Sequence, residues 1–332
     1  MKMLDIVMVQ GIDYTERVFN KNQLGQLRQL GNLRINPNKG VPTKEEVAEL
    51  LAGADIAITS WGCPPLDAEI LCRCPELKLI AHAAGTVKPI LSPAVISMGI
   101  RVCSANDALA QGVAETTLGL TIVSLKNIWQ LARNTREGEW EKQREHVREL
   151  YEVTIGVIGA GMSGAHFIRL LKPFDVTVLV YDPFVSEEKI TGMGAVKVEL
   201  EQLLMESDVV SIHAPSIPET HHMLNERTLK LMKDNAILIN TARGSLIDED
   251  ALVTELQKGR LWACLDVTQP EPPDRSHPFR SLANVTLIPH IAGATNNGLF
   301  RVGNYVIREL ERFVQGKEML GEVGLSRLHV IA

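Results

Sequence analysis

The stretch Thr154–Leu171 reads TIGVIGAGMSGAHFIRLL, and its reading decides the fold. TIGVI is a short apolar run, rich in β-branched residues and bounded by glycine, as a buried strand is. GAGMSG follows, and then apolar residues at helical spacing. Gly159 permits the tight turn, Gly161 lets backbone amides approach a pyrophosphate, and Gly164 lets the helix pack close to the strand. The helix N-terminus, with Met162 and Ser163 in its first turn, then offers unpaired N–H groups and a positive dipole end to phosphates. A bare GxGxxG is often only a tight turn. Here the next apolar run, Val176–Tyr181, ends in Asp182, about twenty residues past Gly161, where an acid binds both ribose hydroxyls. That carboxylate repels a 2′-phosphate, and no arginine stands beside it. The stretch is read as an NAD site.

Outward from this unit, strand-like runs continue at Val209–His213, Ala236–Asn240, Ala263–Val267 and Val285–Ile288, with helical patterns such as Met162–Leu171 and Asp248–Lys258 between them. An earlier series runs Asp5–Val9, Asp55–Thr59, Leu77–His82 and Ile100–Cys103, with a helix at Thr43–Leu51 opened by a Thr43/Glu46 capping box. Alternating helix and strand, with strands apolar on both faces, predicts an α/β protein of two doubly wound parallel-sheet domains. Val113–Leu131 and Thr295–Phe313 read as long helices flanking the second series. They suit hinges to a domain built from both chain ends; a plain cut near residue 150 is the alternative.

The chain has 332 residues, enough for two cores, with 45% hydrophobic and 22% charged residues. A net charge of −6 gives no reason to expect nucleic acid or an anionic membrane as partner. MKMLDIVMVQG carries Asp5 in its apolar run and no small-residue cleavage site, so it reads as a first strand and not as a signal peptide. No uninterrupted apolar run reaches the length of a membrane span. The five cysteines are read as buried free thiols in a reducing cytoplasm; Cys72 and Cys74, in CRC, lack metal-site spacing, and no metal is expected.

Parallel strands present chemistry at their C-terminal ends. There the second series places His213-Ala214-Pro215, Thr241-Ala242-Arg243-Gly244, Asp266 leading to Glu271-Pro272, and Pro289-His290. Hydride exchange between NAD and a 2-hydroxy acid needs a cation to clamp the carboxylate, and the forked guanidinium of Arg243 fits. It also needs a group that exchanges a proton near neutral pH, which histidine does. A carboxylate bonded to that histidine would orient it and favour its charged form; Glu271 is the candidate. Of nine histidines, His290 is singled out because its strand end coincides with Arg243 and Glu271. His146, His166, His221, His222, His277 and His329 are left as surface or core.

These residues lie in stretches that resemble the D-isomer-specific 2-hydroxyacid dehydrogenase family, relatives of phosphoglycerate dehydrogenase and glyoxylate/hydroxypyruvate reductase. The stretches are VIGAGMSG, YDP, HAPSIPET, LMKDNAILINTARGSLIDEDAL, LDVTQPEPP and IPHIAGAT, with VAETTLGL matching the hinge helix. The resemblance implies Arg243 as carboxylate anchor, Glu271 as partner and His290 as acid/base. It implies nicotinamide contacts from Thr117, His213, Ala214, Pro215, Thr241, Ala242 and Asp266. Thr220 in HAPSIPET and Gly293 in IPHIAGAT complete the cofactor candidates. It also implies a Rossmann NAD-binding domain (111–297) inserted in a flavodoxin-like substrate domain (1–110, resumed at 298–332), and a homodimer formed through the cofactor domain.

The chain departs from the family in two places. Where the family loop usually reads GxGVDN, Ala84–Pro89 reads AGTVKP: the amides of Gly85, Thr86 and Val87 remain for a substrate carboxylate, while Lys88 either faces substrate or merely solvent. After Ser60 stands Trp61, where bacterial-type phosphoglycerate dehydrogenases carry a basic residue. A large ring cannot replace a phosphate-binding cation but can wall an apolar tail. The chain ends at Ala332, with no added regulatory domain expected. The expected reaction is therefore NAD-dependent hydride transfer with an unphosphorylated, glyoxylate- or hydroxypyruvate-like 2-oxo acid. Phosphoglycerate dehydrogenase, a formate dehydrogenase (which would carry glutamine at 271) and a non-catalytic NAD-sensing corepressor-like scaffold are the alternatives.

Overall fold

The computed structural model describes residues 3–324, and the chain divides into two compact units. The first comprises the residues up to Leu109 and those from Ala294 onward; the second is Ala110–Gly293.

The first unit carries β1 (Asp5–Met8), β2 (Asn32–Ile35), β3 (Ile56–Thr59), β4 (Leu79–His82) and β5 (Arg101–Ser104). All pair in parallel in the order β2-β1-β3-β4-β5, the flavodoxin-like arrangement. Alternate residues of β1 feed opposite cores, which explains its unbroken hydrophobicity. Ile6 and Met8 pack with Leu27, Val302 and Val306, whereas Val7 and Val9 pack with Val47, Leu51 and Ile70. The helix Lys44–Leu51 opens with the expected reciprocal cap between Thr43 and Glu46. β2 is not among the strands expected from the sequence, because NLRI is a half-open edge strand with Asn32 exposed.

The second unit carries β6 (Thr154–Ile158), β7 (Thr177–Tyr181), β8 (Val196–Lys197), β9 (Val209–Ile212), β10 (Ala236–Asn240), β11 (Leu261–Leu265) and β12 (Val285–Leu287). They form one parallel sheet in the order β12-β11-β10-β9-β6-β7-β8. The chain runs outward from β6 to β8, then returns to β9 on the other side, so the topological switch lies between β6 and β9, as in Rossmann sheets. The α/β class with two doubly wound sheets is thus present. β8, only two residues long, left no pattern to read.

The helices differ from expectation at their ends. Asn106–Leu125 is one helix, but Asn127 adopts left-handed backbone (φ 51°) and starts a new helix, Ile128–Arg136, so Val113–Leu131 is not continuous. The expected helix at Thr295 begins at Leu299, after a 3-10 turn Asn296–Gly298. By length and composition Asn106–Leu125 is apolar enough to cross a membrane, yet Ala114, Leu120 and Leu125 pack on Ile155 and Val157 as core. All five cysteines are free; Cys72 is exposed at a helix end, against the expectation of burial, while the other four are buried. His329 lies outside the described residues.

Candidate active site

The glycine loop is shaped by close approach. Gly159 has φ +93°, and a Cβ there would lie 2.9 Å from the Ala214 nitrogen. A Cβ on Gly164 would run into the Gly159 carbonyl oxygen. Gly161 caps the helix Met162–Leu171 without a side-chain capping hydrogen bond, and the space beside its α-carbon is open. The first-turn amides of that helix carry no side-chain cap, and Met162 beside them is exposed. This fits the phosphates of a dinucleotide.

Asp182, just past β7, is buried, and its carboxylate first organises the loop: one oxygen accepts the Ala160 amide (2.8 Å), the other those of Phe184 (2.8 Å) and Val185 (3.1 Å). A carboxylate offers about four acceptor positions, so capacity remains for ribose hydroxyl. Beneath the loop His213 is wedged between two hydroxyls, Ser163 Oγ at its Nδ1 (3.0 Å) and Ser211 Oγ at its Nε2 (2.9 Å). Burial pushes its pKa down to about 3, so it stands neutral and braced. Its ring has no free nitrogen to offer a substrate.

Other cofactor candidates are similarly engaged. The Thr117 and Thr241 hydroxyls bond each other (3.0 Å), and Thr117 also bonds the Val113 carbonyl. Thr220 Oγ1 donates to the Pro215 carbonyl (2.6 Å), closing the turn that holds buried Ala214. The Ala292 carbonyl accepts from Thr116, and Gly293 packs beside Gly112 of the same helix.

Arg243 follows β10 on a loop built by Asn240, which the sequence reading did not single out. The buried Asn240 amide donates to the Arg243 carbonyl (2.8 Å) and its oxygen accepts the Ala242 amide (3.0 Å). The guanidinium is exposed, with Nη1 donating to the Ala242 carbonyl (2.6 Å). Gly244 sits against the Thr268 and Gln269 backbone, where a Cβ would clash. That contact presses the Arg243 loop onto the loop that carries Glu271.

His290 takes positive φ (49°), its amide donating to the Asp266 carbonyl (2.9 Å). The buried Asp266 carboxylate accepts the amides of Ile291 (2.6 Å) and Ala292 (3.0 Å); burial raises its pKa, against those bonds. Asp266 thus anchors both sides of His290. The His290 Nδ1 meets Glu271 Oε1 at 2.6 Å, with the two side chains 49% and 41% exposed. Because the carboxylate only accepts, Nδ1 carries the proton, and Nε2 has no partner among the described residues. Sequence reading and structure bring the same pair together.

In the first unit, Trp61 is partly exposed beside Gly62. Gly85 accepts a bond from Ser104 Oγ (2.6 Å), Thr86 Oγ1 accepts the Lys88 amide (3.4 Å), and Val87 is buried. The Lys88 side chain is exposed. Buried His82 bonds Thr59 Oγ1 (2.9 Å) and the backbone of Thr86, and burial pushes its pKa down to about 4. It supports the Gly85–Val87 loop from below; as one histidine in an apolar strand it carried no signal.

Residues 118–292 match the model of the D-isomer specific 2-hydroxyacid dehydrogenase NAD binding domain. A glyoxylate reductase of Thermofilum pendens is 34% identical over 92% of this chain and 91% of its own. A D-3-phosphoglycerate dehydrogenase of Methanocaldococcus jannaschii is 34% identical over 83% of this chain, which spans only 52% of that relative's length. Among solved structures, a phosphoglycerate oxidoreductase from Rhizobium etli superposes with a TM-score of 0.83 at 23% identity, covering 96% of this chain and 98% of its own, and shares the fold. The chain belongs to the D-isomer specific 2-hydroxyacid dehydrogenase family, and its second unit is an NAD-binding domain.

Proposed function

We propose that the protein is an NAD-dependent 2-hydroxyacid dehydrogenase acting on an unphosphorylated 2-oxo acid of glyoxylate or hydroxypyruvate type. The observation that carries this reading is the His290–Glu271 pair at 2.6 Å, with Nε2 open, in the domain that holds the glycine loop and exposed Arg243. Bound NADH supplies the hydride. Arg243 clamps the substrate carboxylate with its fork. His290 Nε2 gives its proton to the carbonyl oxygen during reduction and takes it back during oxidation, while Glu271 fixes the ring through Nδ1. Asp266 and Asn240 act behind these groups by holding their loops. The Gly85, Thr86 and Val87 amides are proposed substrate contacts, with Trp61 as the wall for an uncharged tail.

The relatives support the class. A Thermotoga maritima protein named hydroxypyruvate reductase is 32% identical over 80% of this chain and 87% of its own. We further propose that the first unit is the substrate domain, that the protein works in the cytoplasm, and that two copies pair through the NAD-binding unit. Exposed Trp129, Trp140 and Tyr151, in the segment before β6, support the pairing. A panel of 2-oxo acids with NADH, followed by loss of the reduced-nicotinamide absorbance, tests the function. Turnover of glyoxylate or hydroxypyruvate is expected. Absence of turnover with every member would overturn it.

A further inference from the structure

We infer that Glu249 is a positioning residue that holds the Glu271 loop against the Arg243 loop; this rests on the function proposed above. Glu249 is the first residue of the helix Glu249–Gln257, reached from Arg243 through a single 3-10 turn, Gly244–Leu246. Its side chain is 13% exposed. Oε1 accepts the Gln269 amide at 2.7 Å, and Oε2 lies 3.6 Å from His277 Nε2. His277 Nδ1 accepts the Phe279 amide (3.3 Å), so in the neutral ring the remaining proton sits on Nε2 and faces Glu249.

The reason this one bond matters lies in the composition of the loop. Residues 269–273 read Gln-Pro-Glu-Pro-Pro, and proline has no N–H to donate. Only Gln269 and Glu271 can anchor the segment through an amide. Among the described residues, the Gln269 amide does so, and it does so to Glu249. Thr268 Oγ1 adds a bond to the Pro270 carbonyl (2.8 Å). Two residues beyond Gln269, Glu271 reaches His290 with a side chain half in solvent. Arg280 Nη2 donates to the Pro273 carbonyl (2.8 Å) at the far end of the run, but among the described residues only the Glu249 contact ties the run to the helix that follows Arg243. The charged neighbours of Glu249 are Asp250 beside it and His277 opposite; burial raises its pKa, against the Gln269 bond, which lowers it.

Two readouts separate this role from general stability. Hydrogen exchange at the Gln269 amide, which needs no substrate, is expected to quicken more than about tenfold in Glu249→Ala and to stay protected in Glu249→Gln, whose amide oxygen still accepts. In turnover, Glu249→Ala is expected to lower kcat by about 10- to 100-fold through a misplaced Glu271, with NADH affinity unchanged and Glu249→Gln recovering most of the rate. In a Glu271→Gln background the same Ala change should cost less than about threefold, because its effect runs through Glu271. Should Glu249→Ala fail to fold, Glu249→Asp, too short to reach Gln269, is read in its place. Undisturbed Gln269 exchange, additive losses, or equal loss in Gln and Ala would overturn the inference. A wild-type protein inert to every 2-oxo acid would instead sink the proposed function, and Gln269 exchange would still decide the role of Glu249.

Discussion

At His290 the outcome depends on which ring nitrogen stays open. Glu271 occupies Nδ1, so in the proposed reaction Nε2 is the atom that exchanges the proton. His290→Ala should lower kcat by about 100- to 10,000-fold, the usual share of general acid–base catalysis, while NADH titration shows unchanged binding. Arg243→Ala removes the carboxylate fork, a loss of roughly 2–5 kcal/mol. In steady-state assays kcat/KM should fall by about 30-fold to several thousand-fold for every 2-oxo acid, and Arg243→Lys should recover only part. A near-normal Arg243→Ala would mean that the substrate is not a carboxylate. These three residues were legible because His290 and Arg243 follow strand ends and Glu271 lies in the loop after β11, each with chemistry no core position requires. Asn240, His82 and Glu249 were not. Their importance lies in which backbone groups they bond, and those partners are distant along the chain or hidden until the loops fold.

Among the elements, the backbone contact at Gly244 sets the distance between the two loops that carry Arg243 and Glu271. Gly244→Ala should force them apart, and a misplacement near 1 Å costs about 100-fold in kcat; circular dichroism should show the fold intact. His82, at the end of β4, and His213, after β9, are held neutral by burial, down to about 4 and about 3. The folded protein therefore binds fewer protons than the unfolded chain between those values and the ordinary histidine pKa, so stability rises with pH across this window and is lost on acidification. From pH 7 to pH 5 each should cost about 2 kcal/mol. Urea unfolding at the two pH values checks this, and His82→Gln should flatten the difference. Strand and helix runs with full apolar faces could be read directly. Of the four edge strands, β5 and β12 carry apolar runs and could be read, whereas β2 is half open and β8 only two residues long, too little pattern to read.

For the whole molecule, two expectations follow from how the second unit is built. Asp182 should make NADH the preferred cofactor, since its carboxylate repels a 2′-phosphate; comparable kcat/KM with NADPH would count against it. Sedimentation should show a dimer, and Trp129→Asp with Trp140→Asp should yield monomers, as a charge on each exposed ring disfavours burial of that surface. The amino-acid order by itself determined the alternation of strand and helix, the dinucleotide loop, the family and the strand ends where chemistry belongs, because hydrophobic period and local glycine geometry are properties of neighbouring residues. Only the tertiary structure decided that His213 is sealed between two serines and that the Glu249 carboxylate accepts the Gln269 amide of the proline run. Those facts arise from hydrogen bonds and burial between segments far apart in sequence, and burial is what holds His82 and His213 neutral.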